Sequence, residues 1–152
     1  TEAQILQLMR RLQEELGMAI MFITHNLGVV AQMTEAVIVM YMGKVVETAT
    51  VDALFYDPKH PYTQSLLRSI PKLGSRTIGK ASRLESIKGT VPDPYRIPRG
   101  CPFNPRCPAM IRGVCDEIEP PVVKLQEDHT VRCHLYAPAP AAAQDAAIPL
   151  VT

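Results

Sequence analysis

Three features are scarce or missing in this 152-residue sequence, and each narrows the possible functions. No run of about 18 apolar residues occurs, and the longest, Ala36 to Met42, has only the length of a strand, so we expect no segment that spans a membrane. No charged and apolar leader opens the chain, which leads us to expect no export. Aromatic residues make up only 5% of the sequence, too few for a base-stacking platform, so we predict no nucleic-acid partner.

Cysteine is absent from the first 100 residues, and all four cysteines lie in the last third of the chain. They are Cys101, Cys107, Cys115 and Cys133, separated by five, seven and seventeen residues. A disulfide framework needs an oxidising compartment, which nothing here indicates. Structural zinc favours Cys-x2–4-Cys pairs, which are missing, whereas iron–sulfur clusters accept varied spacings. The spacing therefore leaves a metal, disulfides and buried free thiols as alternatives.

Charge is unevenly distributed, although the whole chain carries only +1. Residues 1–58 carry three basic and seven acidic groups, residues 59–112 eleven and two, and residues 113–152 two and six. The basic middle could face anions, a phospholipid surface or a thiolate-rich cluster. Its Lys and Arg residues are scattered, however, which is also typical of a solvated linker.

The first 56 residues have the pattern of an α/β sheet. The predicted elements are a helix over residues 1–16, strands over 18–23, 36–41 and 44–48, and short helices over 27–33 and 51–56. A turn at Met42-Gly43 predicts that the last two strands pair as a hairpin. Six consecutive apolar residues in the first strand predict burial on both faces, as in a parallel sheet covered by helices. We expect the remaining strands to lie before residue 1 or to come from a second copy.

The rest of the chain divides by composition. Two prolines make Asp57–Thr63 a rigid entrance to a helix that reaches roughly Ile70. Pro, Gly, Ser and Arg then predict a linker over 71–100, the four cysteines occupy 101–136, and the Ala/Pro-rich tail 137–152 is predicted to be disordered. This gives predicted domains over 1–56, 57–100, 101–136 and 137–152.

His25 is the one candidate catalytic residue in the first part of the chain. It lies just past the predicted buried strand, and ligands of open α/β sheets bind at the carboxyl ends of strands. An imidazole there can donate a hydrogen bond to a phosphate oxygen or position a water. A single histidine at the start of a helix is equally typical of a purely structural residue.

Five segments, taken together, carry a family resemblance. They are Phe22-Ile23-Thr24-His25-Asn26-Leu27, Val39-Met40-Tyr41-Met42-Gly43-Lys44, Asp57-Pro58-Lys59-His60-Pro61-Tyr62-Thr63, Gly89-Thr90-Val91-Pro92-Asp93-Pro94 and Cys101-Pro102-Phe103-Asn104-Pro105-Arg106-Cys107. In this order they resemble the C-terminal half of an ATP-binding subunit of an oligopeptide/dipeptide ABC transporter, over residues 1 to about 136. His25 aligns with the switch histidine of that family.

The resemblance implies a fold, cofactors and partners. The fold would be the C-terminal part of the sheet of a P-loop NTPase, the ABC ATPase, with an irregular cysteine-rich extension. ATP and magnesium would be bound by the full protein, and the four cysteines would hold a 4Fe–4S cluster, with zinc as the alternative. The expected partners are transmembrane permease subunits, a second ATP-binding subunit and, indirectly, an extracytoplasmic solute-binding protein. The expected location is the cytoplasmic face of the membrane, where the protein would be peripheral.

The motifs that hold nucleotide in this family are missing from the sequence. No G-x-x-x-x-G-K-[ST] phosphate loop occurs, nor do the signature segment and the Walker B acid, all of which we expect before residue 1. We therefore predict that the chain alone has no ATPase activity. The alternatives are a stand-alone iron–sulfur or zinc protein with a structural or redox role, and a non-functional truncated remnant.

Overall fold

The computed structural model describes residues 2–70, 87 and 89–138. Its helices are α1 (Glu2–Leu16), α2 (Leu27–Met33), α3 (Val51–Tyr56) and α4 (Pro61–Arg68), its strands are β1 (Ala36–Tyr41), β2 (Lys44–Thr50), β3 (Val122–Gln126) and β4 (His129–Arg132), and a 3-10 turn covers Asn104–Arg106. Most of the predicted linker 71–100 and nearly all of the predicted tail 137–152 lie outside the described residues. None of the described helices is long and apolar enough to cross a membrane.

The first hairpin forms where the sequence predicts it. β1 and β2 pair antiparallel from Ala36 opposite Thr50 to Tyr41 opposite Lys44. The two residues of the turn, Met42 and Gly43, both have positive φ, 49° and 75°. Two consecutive positive φ values match the right-handed twist of the flanking strands and fix a tight two-residue connection.

The predicted strand over residues 18–23 is wrong for the described structure. This stretch has no regular secondary structure and is not part of the sheet, and two of its side chains, Met21 and Ile23, are 84% and 91% exposed. A strand needs a hydrogen-bonded neighbour, and none of the four described strands lies beside it. The sheet that does form is antiparallel throughout, which corrects the expectation of a parallel sheet.

The cysteine-rich segment contributes to the same sheet as the first hairpin. The strand order is β1-β2-β4-β3, and β4 pairs with β2 through Glu47 opposite Val131 and Thr48 opposite Thr130. Cys101, Phe103 and Cys115 share one hydrophobic core with residues of β1, β2 and α3. The cysteine-rich extension, which was predicted to be irregular, therefore includes the regular β3–β4 hairpin. The predicted domain boundaries remain predictions.

Phe103 is the centre of this shared core. Its side chain is fully buried, and its ring centroid lies 5.3 Å from that of Tyr41 and 5.5 Å from that of Tyr62, both in edge-to-face geometry. Such pairs contribute about 0.5–1.5 kcal/mol each beyond the burial of their apolar area. The three rings join β1, α4 and the cysteine-rich segment.

Glu47 connects three separate parts of the chain. Its side chain, in the middle of β2, is fully buried. One carboxylate oxygen accepts the backbone N–H of Lys59 at 2.7 Å and lies 2.8 Å from Nε2 of His129 on β4, and the other accepts the N–H of His60 at 3.0 Å. A buried charge is tolerated only when it is paired and hydrogen-bonded, as this carboxylate is.

His60 is a second buried polar residue next to this carboxylate. Its Nδ1 accepts the backbone N–H of Tyr62 at 3.0 Å and so caps α4, which begins at Pro61. Its Nε2 makes no hydrogen bond within the described part of the chain. Burial lowers the pKa of His60 to about 4, although the Glu47 carboxylate and the nearby carbonyl of Arg132 oppose the shift.

We expect Glu47→Ala to lower the free energy of unfolding by about 3–5 kcal/mol, because His129 and two backbone N–H groups would be left buried without their acceptor. Urea unfolding followed by circular dichroism measures the change. Glu119→Ala is the matched control, because the Glu119 carboxylate is also ion-paired. Its partners are Lys44 and Arg132, and it is half exposed. Equal losses in the two variants would contradict the role assigned to Glu47.

We expect His60 to make the fold acid-sensitive between about pH 6.5 and 4. In this range the unfolded chain binds a proton that the folded chain excludes, so stability falls as the pH falls, by up to about 3 kcal/mol from this residue. His60→Asn keeps a side-chain cap for α4 but cannot titrate, so its unfolding free energy should vary less with pH. An unchanged pH dependence in this variant would contradict the prediction.

Candidate functional site

His25 lies at a bend between the stretch 18–23 and α2. The local chain is held by a pair of caps: the Thr24 hydroxyl accepts the backbone N–H of Asn26 at 2.9 Å, and the Asn26 side chain accepts the N–H of Gly28 at 3.0 Å. His25 itself is exposed and makes no hydrogen bond to other described residues. Its imidazole can therefore bind a ligand that approaches from solvent, and its catalytic role remains a prediction.

The four cysteines are free thiols that the fold brings into one region. Cys101, Cys115 and Cys133 are buried, and Cys107 is half-buried. The backbone N–H of Cys101 donates to the carbonyl of Cys115 at 2.8 Å, which joins the first and third members of the set. Gly100 permits this approach, since it has a φ of 66° and a Cβ there would lie 2.4 Å from the Cys115 carbonyl oxygen.

The thiols lie close enough to influence one another's ionisation. Burial, the largest cause, and the charges of the other three cysteines together raise the pKa of Cys133 to about 11. Burial likewise raises the pKa of Cys101 and of Cys107, with smaller contributions from other members of the set. In the absence of a bound cation, these buried groups are therefore held as neutral thiols at neutral pH.

Backbone N–H groups are directed at each of the four sulfur atoms. The N–H of Ile111 donates to Sγ of Cys115 at 3.3 Å. Backbone hydrogen bonds lower the pKa of the other three thiols, from Phe103 and Asn104 at Cys101, from Ala109 at Cys107 and from Leu135 at Cys133. N–H donors stabilise the thiolate form, which is the form that binds metal.

The metal predictions do not receive geometric support. Among the described residues, no three His, Cys, Asp or Glu side chains are arranged so that they could hold a metal ion. The chemistry of the donor set, four thiols with N–H donors to their sulfurs, does fit a thiolate-ligated group. Iron–sulfur and zinc binding by these residues therefore remain predictions.

The basic residues in the middle of the chain differ in how far they are buried. The guanidinium of Arg106 is half-buried and donates to the Tyr41 hydroxyl at 3.4 Å and to the Ile87 carbonyl at 3.3 Å. Arg99 and Arg112, by contrast, are exposed. At least Arg106 therefore has a structural role in the core that links β1 to the cysteine-rich segment.

Sequence reasoning missed Glu47, His60 and His129 as a connected group. Glu47 follows two valines in a predicted strand, and a carboxylate on the core face of a strand is unusual. This is a weak sign in the sequence that Glu47 has a specific role. His60 was noted only as part of a rigid turn, and that structural interpretation agrees with its position as the cap of α4. His129 lies 82 residues from Glu47, so no local pattern could have paired them.

Comparison with known proteins gives consistent matches. Residues 46–115 match the family model described as the oligopeptide/dipeptide transporter, C-terminal region. A putative peptide import ATP-binding protein of Brucella ovis is 46% identical over 87% of this chain and 39% of its own length. The oligopeptide transport ATP-binding protein AppD of Bacillus subtilis is 47% identical over 89% of this chain and 40% of its own.

A dipeptide transport ATP-binding protein, DppD of Haemophilus influenzae, is 45% identical over 88% of this chain and 38% of its own length. The chain therefore spans about two fifths of the length of the curated relatives it matches. The matched model, the relatives and the antiparallel hairpins all agree with the resemblance drawn from the sequence. Residues 46–115 are therefore similar to the oligopeptide/dipeptide transporter C-terminal region, and the chain is similar over most of its length to ATP-binding proteins of peptide transport.

Proposed function

We propose that this chain is part of the ATP-binding subunit of a peptide or dipeptide importer, which couples ATP hydrolysis to solute transport. The observation that carries the proposal is the 45–47% identity to peptide and dipeptide transport ATP-binding proteins over 87–89% of the chain. None of these relatives is named as a stand-alone metal protein, so the alternative function has no support. In the whole protein the partners would be permease subunits, a second ATP-binding subunit and, indirectly, a solute-binding protein, at the cytoplasmic face of the membrane.

In this function His25 would act on the terminal phosphate of ATP. Its exposed imidazole would donate a hydrogen bond to a γ-phosphate oxygen and help to orient the attacking water. The caps made by Thr24 and Asn26 hold the backbone on either side of His25, which would reduce the entropy lost when ATP binds. Closure of two subunits around ATP would then drive the permease between its inward- and outward-facing states.

The four cysteines would hold a 4Fe–4S cluster with a structural or regulatory role. When bound, such a cluster supplies a covalent cross-link among the residues that hold it and a centre that can carry one electron. The chain's own contribution would be the burial of Cys101, Cys115 and Cys133 and backbone N–H groups at the sulfurs, which lower the pKa of Cys101, Cys107 and Cys133 against the effect of burial. Cys133 directly follows β4, so the cross-link would also stabilise the strand that carries His129.

The role of His25 is tested in a chimera. Residues 1–136 of this chain replace the aligned stretch of AppD from Bacillus subtilis, and steady-state ATP hydrolysis is measured. We expect His25→Ala to lower kcat by about 10²–10³-fold, because the group that orients water and contacts the γ-phosphate is lost. We expect the unfused 152-residue chain to give only background turnover.

His134→Ala in the same chimera is the matched control, since this histidine donates its ring N–H to the carbonyl of Ile118, 2.8 Å away, and is not assigned to ATP. Its kcat should stay within about twofold of the parent. Equal loss in the two variants would contradict the assignment of His25. Turnover by the unfused chain that His25→Ala abolishes would contradict the prediction that it is inactive alone.

The thiols are tested by metal analysis. We expect the chain purified without oxygen to contain about four iron and four sulfide per molecule and to absorb near 400 nm. Cys133→Ser should remove most of the iron, whereas His134→Gln, which changes the adjacent residue, should retain it. Stoichiometric zinc without sulfide would establish the zinc alternative, and metal-free protein would contradict both assignments.

A further inference from the structure

Cys133 is the member of the four-thiol set that comes from a different part of the fold. Cys101, Cys107 and Cys115 belong to one segment that is held by its own hydrogen bonds. The N–H of Cys101 donates to the carbonyl of Cys115 at 2.8 Å, and the N–H of Cys107 donates to the carbonyl of Asn104 at 3.2 Å. Cys133 is separated from Cys115 by seventeen residues and directly follows β4. The set is therefore complete only if the chain around Cys133 is held in place.

The chain before Cys133 is fixed through His129. Nε2 of His129 lies 2.8 Å from a carboxylate oxygen of Glu47, and both side chains are buried. β4 is paired with β2 at only two positions, so few backbone contacts support this junction. Because hydrogen bonds to an ionised group are roughly twice as strong as neutral ones, the contact between His129 and Glu47 holds this end of β4.

The chain after Cys133 is fixed through Tyr136. The Tyr136 hydroxyl donates to the backbone carbonyl of Lys59 at 3.1 Å. The backbone N–H of Lys59 donates at 2.7 Å to the same Glu47 oxygen that His129 contacts. Both flanks of Cys133 are thus attached to one residue of the backbone and one carboxylate. We call the four residues that make these contacts, Glu47, Lys59, His129 and Tyr136, the clamp.

Arg132, the residue next to Cys133, provides a weaker attachment. Its guanidinium donates to the carbonyl of Val45 at 3.2 Å and to the carboxylate of Glu119 at 3.0 Å, and both contacts lie at the exposed surface. Exposed ion pairs contribute little to stability, because water and salt screen them. The buried clamp is therefore the stronger attachment of the chain around Cys133.

We propose that the clamp positions Cys133 so that it completes the four-thiol site. Glu47, His129 and Tyr136 are then positioning residues, which act on the site through the chain and not by touching the metal. When the clamp opens, Cys133 leaves the other three thiols, becomes accessible to solvent and releases bound metal. The coupling is reciprocal, so a metal that needs all four thiols also keeps the clamp closed. The statement about metal rests on the cluster proposed above, whereas the position of Cys133 is tested without it.

Thiol labelling tests the clamp in the full 152-residue chain after metal has been removed with a chelator. The native chain is exposed briefly to iodoacetamide, and mass spectrometry gives the labelling rate of each cysteine. His129→Phe removes the donor to Glu47, so we expect Cys133 to be labelled about 10–100-fold faster than in the parent chain, while the rate at Cys101 changes less than about threefold. His129→Gln, which can still donate an N–H to Glu47, should restore most of the protection.

Leu54→Ala is the matched control, because Leu54 is buried in the shared core but lies on α3, outside the clamp. Its truncation destabilises the whole core, so the labelling rates of Cys101 and Cys133 should rise by the same factor. Tyr136→Phe removes only one hydroxyl and should speed the labelling of Cys133 about 2–10-fold. Circular dichroism checks that each variant is folded, and Tyr136→Phe decides the test if His129→Phe does not fold.

Metal release tests the same clamp in the chain purified with its iron. Transfer of iron to a chelator should be faster in His129→Phe by about the factor seen in labelling, and should return toward the parent rate in His129→Gln. The backbone amide of Lys59, which donates to Glu47, should exchange its hydrogen more slowly in the loaded chain than in the metal-free chain.

Three results would overturn the inference. An equal rise at Cys101 and Cys133 in His129→Phe would show general destabilisation only. Unchanged labelling in both His129→Phe and Tyr136→Phe would show that other contacts hold Cys133. Loss of iron from His129→Gln with Cys133 still protected would make His129 a ligand and not a positioning residue. The two proposals fail separately, since a chain that carries no metal contradicts the cluster while labelling still decides the role of the clamp.

Discussion

The buried carboxylate of Glu47 is the interaction on which the described structure depends. It lies on β2 and binds the backbone ahead of α4 on one side and His129 of β4 on the other. β2 and β4 are paired at only two positions, so this contact reinforces a short strand junction. Because a buried charge is costly without partners, the carboxylate makes the three segments mutually dependent.

The same junction explains how the cysteine-rich segment is attached. Phe103, between the first two cysteines, packs against Tyr41 of β1 and Tyr62 of α4. Cys133 follows the strand that carries His129, and the hydroxyl of Tyr136 donates to the carbonyl of Lys59 at 3.1 Å. The segment Asp57–Thr63 is thus a structural connector between sheet and extension, which agrees with its interpretation as a rigid turn.

The candidate site lies next to a stretch of chain that has no strand partner in the described residues. His25 lies two residues beyond the stretch 18–23, in which Met21 and Ile23 are exposed and the backbone groups make no hydrogen bonds to other described residues. In the proposed protein a neighbouring strand would both bury this stretch and fix the position of the imidazole relative to ATP. The catalytic role and the missing strand neighbour are therefore two aspects of one proposal.

Local patterns in the sequence predicted α1, α2, the β1–β2 hairpin, α3 and α4, because helix periodicity, Gly43 and the two prolines act over a few residues. They also carried the resemblance to peptide-transport ATP-binding subunits, with which the comparisons agree. The pairing of β4 with β2 and the contact between Glu47 and His129 were decided only by the tertiary structure, since they join residues more than 80 positions apart. At residues 18–23 the local pattern predicted too much. Their apolar residues indicate a strand, but a strand forms only where the fold provides a neighbour to share its hydrogen bonds.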